Sequence, residues 1–447
     1  MMQPRWLKGL IPKAPLPAHP STPPQSVTSQ LSFRKYGLLG SLYVSQFLPF
    51  WFLYEALPVL LRQQGMFLKA IGLLPLVGIA MTFKFLWAPL IDRYSLARWG
   101  HYRFWIIVFQ LWVVGITLIC SRLNLEAQLP VILIGLALLG TGCASQDIAT
   151  DALALRLLAP QERGMGNAVQ GIGGSLGKMI GGGGLLILLS QWGWQPSLWV
   201  LAMFMLLALL PVLFYREPPR AVSGPTLTAP LTPQNYLKIF WQFCQQPGMV
   251  LWLLILGLFA AAHNLSATMF RPLLVDQGLS LAEIGSLLGI VGAATTMIGA
   301  LVGGVVTSQW SRQRSLLIAT ELALLGVLSY FLPTFGFTQL PVLYGIVGLA
   351  FFALGMVGTT SFTIMMDKSR SDMAGTDYTL QTSFIGIGGV VAAVLSGILA
   401  QSIGYRGVFT LSALLLLVCI MLIAKVFKSQ VSPAPAAIVA SPPQNVP

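Results

Sequence analysis

Residues 171–184 read Gly-Ile-Gly-Gly-Ser-Leu-Gly-Lys-Met-Ile-Gly-Gly-Gly-Gly, deep in an apolar stretch, and the opening Gly171-Ile172-Gly173-Gly174 returns as Gly386-Ile387-Gly388-Gly389, 215 residues later. Two further echoes keep a similar offset. Gln191-Trp192-Gly193-Trp194 is answered by Gln401-Ser402-Ile403-Gly404-Tyr405, and the loop at Asp92 corresponds to the loop at Ser308, 216 residues on. Glycine-rich helices are common in membranes, so one such match would carry little. Three, in matching slots, mark a duplicated chain. Small residues at these positions let helix backbones approach and slide, whether as tight packing or as a hinge.

Around these segments lie twelve apolar stretches, at 36–61, 70–90, 104–121, 129–151, 165–190 and 197–215, then 248–274, 283–307, 315–332, 339–366, 378–401 and 405–426. A bilayer core about 30 Å thick needs about 20 apolar residues in a helix, and longer ones tilt. The composition agrees. At 55% hydrophobic and 9% charged, the 447 residues cannot clothe a soluble surface. The positive charges set the topology. Five of the 26 Lys and Arg (Arg62, Lys69, Arg122, Arg271, Arg406) fall on one side and two (Lys84, Lys178) fall inside apolar stretches. The remaining 19 fall on the side that holds both termini, which is therefore cytoplasmic. The net charge of +13 is thus explained by loops beside lipid headgroups rather than by nucleic acid.

The predicted organisation is a cytoplasmic tail at 1–35, a six-helix bundle at 36–215, a Pro- and Thr-rich cytoplasmic linker at 216–247, a second bundle at 248–426 and a tail at 427–447, both tails disordered. Residues 1–35 lack the apolar core of a cleavable signal. The four cysteines form no CxxC pair, so neither a disulfide framework nor a metal site is indicated. Gly177-Lys178 is not a nucleotide-binding loop: Ile172 stands where the first glycine is required, and Met179 follows the lysine.

Two segments are more specific. Residues 84–94 read KFLWAPLIDRY, followed by Arg98, Gly100 and Arg103; residues 144–152 read ASQDIATDA, followed by PQERG at 160–164. Together they resemble the AmpG-like branch of the major facilitator superfamily, which includes anhydromuropeptide permeases and siderophore permeases of the RhtX/FptX type. The first span, particularly Glu55-Ala56-Leu57-Pro58-Val59-Leu60-Leu61-Arg62, is more similar to the siderophore group. The resemblance covers all twelve spans and is strongest in the first five. It implies an all-α integral membrane fold of twelve transmembrane helices in two pseudo-symmetric six-helix bundles. It also implies a bacterial inner-membrane transporter working by alternating access as a monomer, with no cofactor and the proton gradient as energy source. The small-molecule substrate expected from it is a siderophore or its ferric complex. The alternatives are an anhydromuropeptide, or export of another metabolite. A membrane enzyme would need a catalytic cluster at one face, and a sensor a soluble output domain. Neither is visible.

Asp92, at a helix end before spaced arginines, can accept hydrogen bonds from a neighbouring helix N-terminus, while arginines bridge to acids of the other half. Such a clasp would close the cytoplasmic gate, and the Ser308 counterpart should hold more weakly. A charge at mid-membrane costs about 2.5–3.5 kcal/mol, so each one needs a partner, water or a function. Lys84 and Asp147 fall in the inner portion of spans 2 and 4 and are expected to pair. Asp151, four residues from Asp147 and on the same helix face, lies nearer the surface with Arg93 and Arg156. With Asp92 and Arg163 these make the candidate cytoplasmic gate, against structural neutralisation alone. Lys178 lies about 20 Å along span 5, near the midplane, suited to an anionic substrate group or to a structural ion pair. His263 and Asn264 lie just past the midplane of span 7; histidine could couple to protons or simply pack. Glu55 and Asp147 are the other proton-coupling candidates, because burial moves a carboxyl toward neutrality. Trp51, Phe52, Tyr54 and Phe270 could stack on a substrate ring or face lipid. Glu321 is expected to meet Arg312 or Arg314 without a functional role. If the gate reading holds, Asp147→Asn should abolish most transport while membrane insertion, followed by fractionation, stays intact; uptake at the wild-type rate would refute it.

Overall fold

The computed structural model describes residues 25–57, 60, 79–94, 100–125, 127–218 and 233–425, among which there are only helices and their connections. Helix α1 (Gln25–Trp51) continues into a π turn at Phe52–Ala56. The second span is described from Ile79 onward, as α2 (Ile79–Phe83), a 3₁₀ turn at Lys84–Leu86 and α3 (Ala88–Arg93). Then come α4 (His101–Ser121) and α5 (Leu129–Leu157). The fifth span is α6 (Arg163–Gly177), a π segment at Lys178–Gly184 and α7 (Leu185–Trp192); α8 (Trp194–Phe214) closes the first set.

The second set opens with α9 (Pro233–Cys244) and α10 (Met249–Asp276). The eighth span is α11 (Leu281–Ile284), a π segment at Gly285–Val291 and α12 (Gly292–Gln309). The rest are α13 (Arg312–Ser329), α14 (Phe331–Thr334), α15 (Leu340–Lys368) and α16 (Ala374–Lys425). Among the described residues nine helical stretches are long and apolar enough to cross a membrane, and the last, Ala374–Ala424, contains the eleventh and twelfth predicted spans, broken at Gly404.

That break explains one of the sequence echoes. Gly193 (φ 79°, ψ −172°) separates spans 5 and 6, and Gly404 (φ 67°, ψ 176°) separates spans 11 and 12. Only glycine holds this backbone conformation without strain, so the same residue stands at the same turn in each half. The repeated glycines have an equally direct cause. A Cβ on Gly173, Gly177 or Gly181, one per turn of span 5, would lie 2.8 Å from Tyr43, 2.5 Å from Phe47 or 2.2 Å from the Leu48 carbonyl. Spans 5 and 1 therefore pack backbone to backbone. In the second half a Cβ on Gly388 would lie 3.0 Å from the Gly257 carbonyl and one on Gly389 2.8 Å from Asn264, the same packing of span 11 on span 7.

The halves meet through α6 against α12 and α15, and through α16 against α5 and α2–α3. Near the face that bears the Lys- and Arg-rich loops, the basic face, a Cβ on Gly164 would lie 2.6 Å from the Gly304 carbonyl. One on Gly304 would lie 2.8 Å from Ala168. Two elements fall outside the predicted boundaries. Helix α1 begins at Gln25, within the expected tail, and the linker contains α9. The Pro- and Thr-rich composition of 216–247 masks a helix whose Ile239 and Phe243 are buried against the bundle. The rest of both tails and the start of the second span lie outside the described residues.

Gly304→Val should wedge α6 from α12 at the basic face. Overpacking costs about 1–3 kcal/mol, enough to open the interface severalfold more often. With Thr363→Cys as reporter, buried at this interface, in a Cys244→Ser background, maleimide labelling should rise; unchanged labelling would refute the wedge.

Candidate functional site

The basic face is held shut by two clasps. Helix α3 carries Asp92, fully buried, to the N-terminus of α16. Its carboxylate accepts from the Gly375 N–H (3.1 Å), the Thr376 N–H (2.7 Å), the Thr376 hydroxyl (2.6 Å) and the Tyr102 hydroxyl (2.8 Å). The first backbone N–H groups of a helix have no internal partner and carry partial positive charge, so an anion belongs there. A Cβ at residue 375 would stand 2.9 Å from the Asp92 oxygen, which accounts for the glycine. Beside it, Arg370 grips Asp377 through Nε and Nη2, each at 2.7 Å, in a bidentate pair.

The second clasp is built differently. Arg163 of α6 donates to Asp367 of α15 at 2.7 Å, Arg312 donates to the same carboxylate at 2.7 Å, and Arg312 reaches back across the halves to the Pro160 carbonyl at 2.8 Å. The Asp-to-Ser change at 308 is thus accompanied by a shared carboxylate from another helix. Ser308 itself only donates to its own helix at Gly304. Helix α9 spans the first clasp from outside. Tyr236 donates to the Leu86 carbonyl and Phe240 meets Phe85 edge-on at 5.8 Å on one half, while on the other the Arg370 guanidinium lies 6.0 Å from the Phe243 ring.

The remaining gate candidates lie within the first half. Lys84 is buried and pairs with Asp147, as its spacing predicts, and Gln46 donates to the same carboxylate. Asp151, on the same face, accepts from Tyr43 (3.0 Å) and Gln170 (3.4 Å). Gln110 joins Ser45, the Met205 carbonyl and Gln146 in a second polar cluster. Arg156 pairs with Glu217 at 2.7 Å and lies over the ring of Tyr102, the residue that holds Asp92. Arg93 lies over the Tyr94 ring. Of the seven predicted gate residues, Asp92 and Arg163 make the bonds between halves given above. Lys84, Asp147, Asp151 and Arg156 turn inward instead, because α5 buries that face against α1, α3 and α4.

On the other side of the gate lies a cavity of about 470 Å³, lined by Trp51 of α1 and by residues of the second half, among them His263, Asn264, Thr268, Phe270, Arg271 and Tyr330. Trp51 donates to the Gly174 carbonyl at 3.1 Å, and the Lys178 ammonium sits 4.8 Å from its ring. Phe270 and Tyr330 stack at 4.1 Å. Of the predicted substrate residues, Trp51, His263 and Asn264 line the cavity. Tyr54 and Lys178 are not among its lining residues: Tyr54 packs on Phe50 at 4.6 Å, and Lys178 sits on the Trp51 ring. The side chain of Glu55 lies outside the described residues. Glu321 is exposed, but its expected partners are engaged elsewhere, Arg312 with Asp367 and Arg314 over Trp310. Sequence reading missed Arg271 and Tyr330 in the cavity and Asp367, Thr376 and Gln46 elsewhere. The available signals were the i, i+4, i+8 spacing of His263, Ala267 and Arg271, and the rarity of amides in apolar spans.

With this geometry in hand, comparison with known proteins is informative. The model of the Major Facilitator Superfamily matches residues 39–392. The chain belongs to the Major Facilitator Superfamily. It is 28% identical over 368 residues to the anhydromuropeptide permease of Escherichia coli (strain K12), covering 79% of this chain and 73% of that one. It is 23% identical over 412 residues to putative transporter AmpG 3 of Rickettsia prowazekii (strain Madrid E), covering 89% and 97%. Among solved structures it is similar to the human organic anion transporter MFSD10, with a TM-score of 0.65, 18% identity and coverage of 88% and 99%. It is also similar to the facilitator transporter FucP in its outward conformation, with a TM-score of 0.63, 16% identity and coverage of 87% and 97%. The chain is a membrane transporter of the AmpG-like branch, with the all-α facilitator fold.

Thr376→Val removes one donor to a buried carboxylate and should weaken the closed state by about 1–3 kcal/mol, whereas Thr376→Ser should not. The same Thr363→Cys labelling measures it: faster labelling in the Val variant alone supports the clasp, and equal rates in both refute it.

Proposed function

We propose that this transporter is an anhydromuropeptide permease of a bacterial inner membrane, importing its substrate by alternating access. The observation that carries the reading is the relationship to the E. coli anhydromuropeptide permease across 79% of this chain, joined by relatives named for AmpG transport. The siderophore expected from residues 55–62 gives way to its alternative, since these relatives offer it no support. The cavity suits the proposal. Its volume falls in the range of about 300–1,000 Å³ usual for small-molecule sites, and the partly exposed ring of Trp51 offers a face on which a sugar ring can lie. The closed clasps on one side and the cavity on the other describe one of the two states that alternating access requires.

We further propose that the proton gradient drives import and that Asp147 is the site it acts through. A proton on Asp147 would cancel its charge pairing with Lys84 and free the ammonium for Asp151, on the next turn. The two carboxylates share one face of α5, so one lysine can serve either.

Labelled anhydromuropeptide should accumulate in cells that lack their own muropeptide permease and express this chain, and a protonophore should abolish the accumulation. Uptake that survives the protonophore would remove the proton from the mechanism. Uptake of a labelled ferric siderophore instead would restore the sequence-based expectation and overturn the proposal.

A further inference from the structure

Most cations at the gate hold carboxylates: Lys84 holds Asp147, Arg156 holds Glu217, Arg163 and Arg312 share Asp367, and Arg370 grips Asp377. Arg271 departs from this pattern. Among the described residues it has no carboxylate partner, and none of the residues lining its cavity is acidic. It stands on the face of α10 that also presents His263 and Ala267, one turn apart each, so the guanidinium caps the same wall of the cavity. The residue after it adds a second polar feature. Pro272 lies inside α10 and has no N–H, so the carbonyl of Thr268, another lining residue, loses the donor that the fourth residue on would normally supply. A planar cation on the same cavity wall as a backbone carbonyl that has lost its helical donor is complementary to a carboxylate beside an amide N–H. That pairing is the chemistry of a peptide end.

We propose that Arg271 is the specificity-determining residue of the cavity and binds a carboxylate of the peptide portion of the substrate, with the Thr268 carbonyl accepting from a neighbouring amide. The inference rests on the permease reading and assigns the substrate a direction. The peptide lies against α10 in the second half, and the sugar faces Trp51 of α1, whose ring carries Lys178 over it. Guanidinium and carboxylate match in a bidentate geometry that an ammonium does not reproduce, so lysine is only a partial substitute.

The test is equilibrium binding to the purified, reconstituted full chain of three probes: an anhydromuropeptide, the same compound with its peptide carboxyls converted to carboxamides, and a sugar-free N-acylated acidic dipeptide. Wild type should prefer the free acid. Arg271→Gln should weaken the acid by roughly 10- to 100-fold, the cost of losing a charge-assisted pair, and leave the carboxamide unchanged. Arg271→Lys should fall between. If Arg271→Gln keeps the wild-type ratio of acid to carboxamide, the assignment is overturned. If wild type binds neither muropeptide form but binds the dipeptide in an Arg271-dependent way, the carboxylate site stands and the muropeptide reading falls. Loss of Arg271 dependence with every probe overturns the site itself. Thr363→Cys labelling at the wild-type rate in the Gln variant checks that the fold and gate are intact.

Discussion

A single buried carboxylate organises the closed face of this transporter. Asp92 has no access to water, and a buried charge without compensation costs several kcal/mol. Compensation comes from the other half: of the four donors named above, three belong to Gly375 and Thr376 at the start of α16. Separating the halves would create two defects, an anion stripped of those three donors on one side and orphaned helix N–H groups on the other. Both defects are cheap only when water replaces the lost partner. Separation of the halves and hydration of the interface must therefore occur together, which makes the contact bistable and not gradually loosened. Conformational switching needs such an element, with two discrete arrangements.

The glycines make that contact reachable. Asp92 can dock on backbone amides only because Gly375 presents no Cβ, and the adjoining α6–α12 crossing closes only because Gly164 and Gly304 meet as bare backbone. The two clasps are related by the internal duplication yet use different chemistry. One places an anion on a helix N-terminus; the other gathers two arginines on Asp367. The first excludes water and reads geometry. The second lies closer to solvent, with Asp367 about a quarter exposed, and charge pairs in such positions contribute little on their own. The Asp92 clasp therefore carries most of the closure.

Much of this was legible in the sequence, for stateable reasons. The twelve-span pattern and the repeat follow from bilayer thickness and from glycine spacing. Lys84 and Asp147 could be paired on paper because a charge in an apolar span must find its opposite, and Asp92 could be sent to a helix N-terminus because of where it sits in its loop. Which N-terminus was not legible, since that depends on the crossing of α3 and α16, set by residues more than 280 positions apart. Asp367 was missed because it follows an unremarkable apolar span, and α9 because its buried face is only a few residues wide. Arg271 was read as a topological charge. In one dimension an arginine near a helix end looks the same whether it faces lipid headgroups or a cavity.

The inward-turned acids link cavity and gate without touching either clasp directly. Asp147 and Asp151 sit on α5, and the same helix presents Ile148 and Ala152 to Gly375, at 3.0 and 3.4 Å from where its Cβ would be. Any change of charge pairing that rotates or shifts this face of α5 moves the surface on which the start of α16 rests. The bond from Tyr43 to Asp151 and that from Gln46 to Asp147 tie the same carboxylates to α1, whose Trp51 lines the cavity a few turns away. Trp51 and the amides at Asp92 are thus joined through α1 and α5. Packed interiors shift between discrete arrangements and do not deform smoothly, so a change of pairing on this face of α5 reaches the start of α16 as a discrete step and not as a gradual strain.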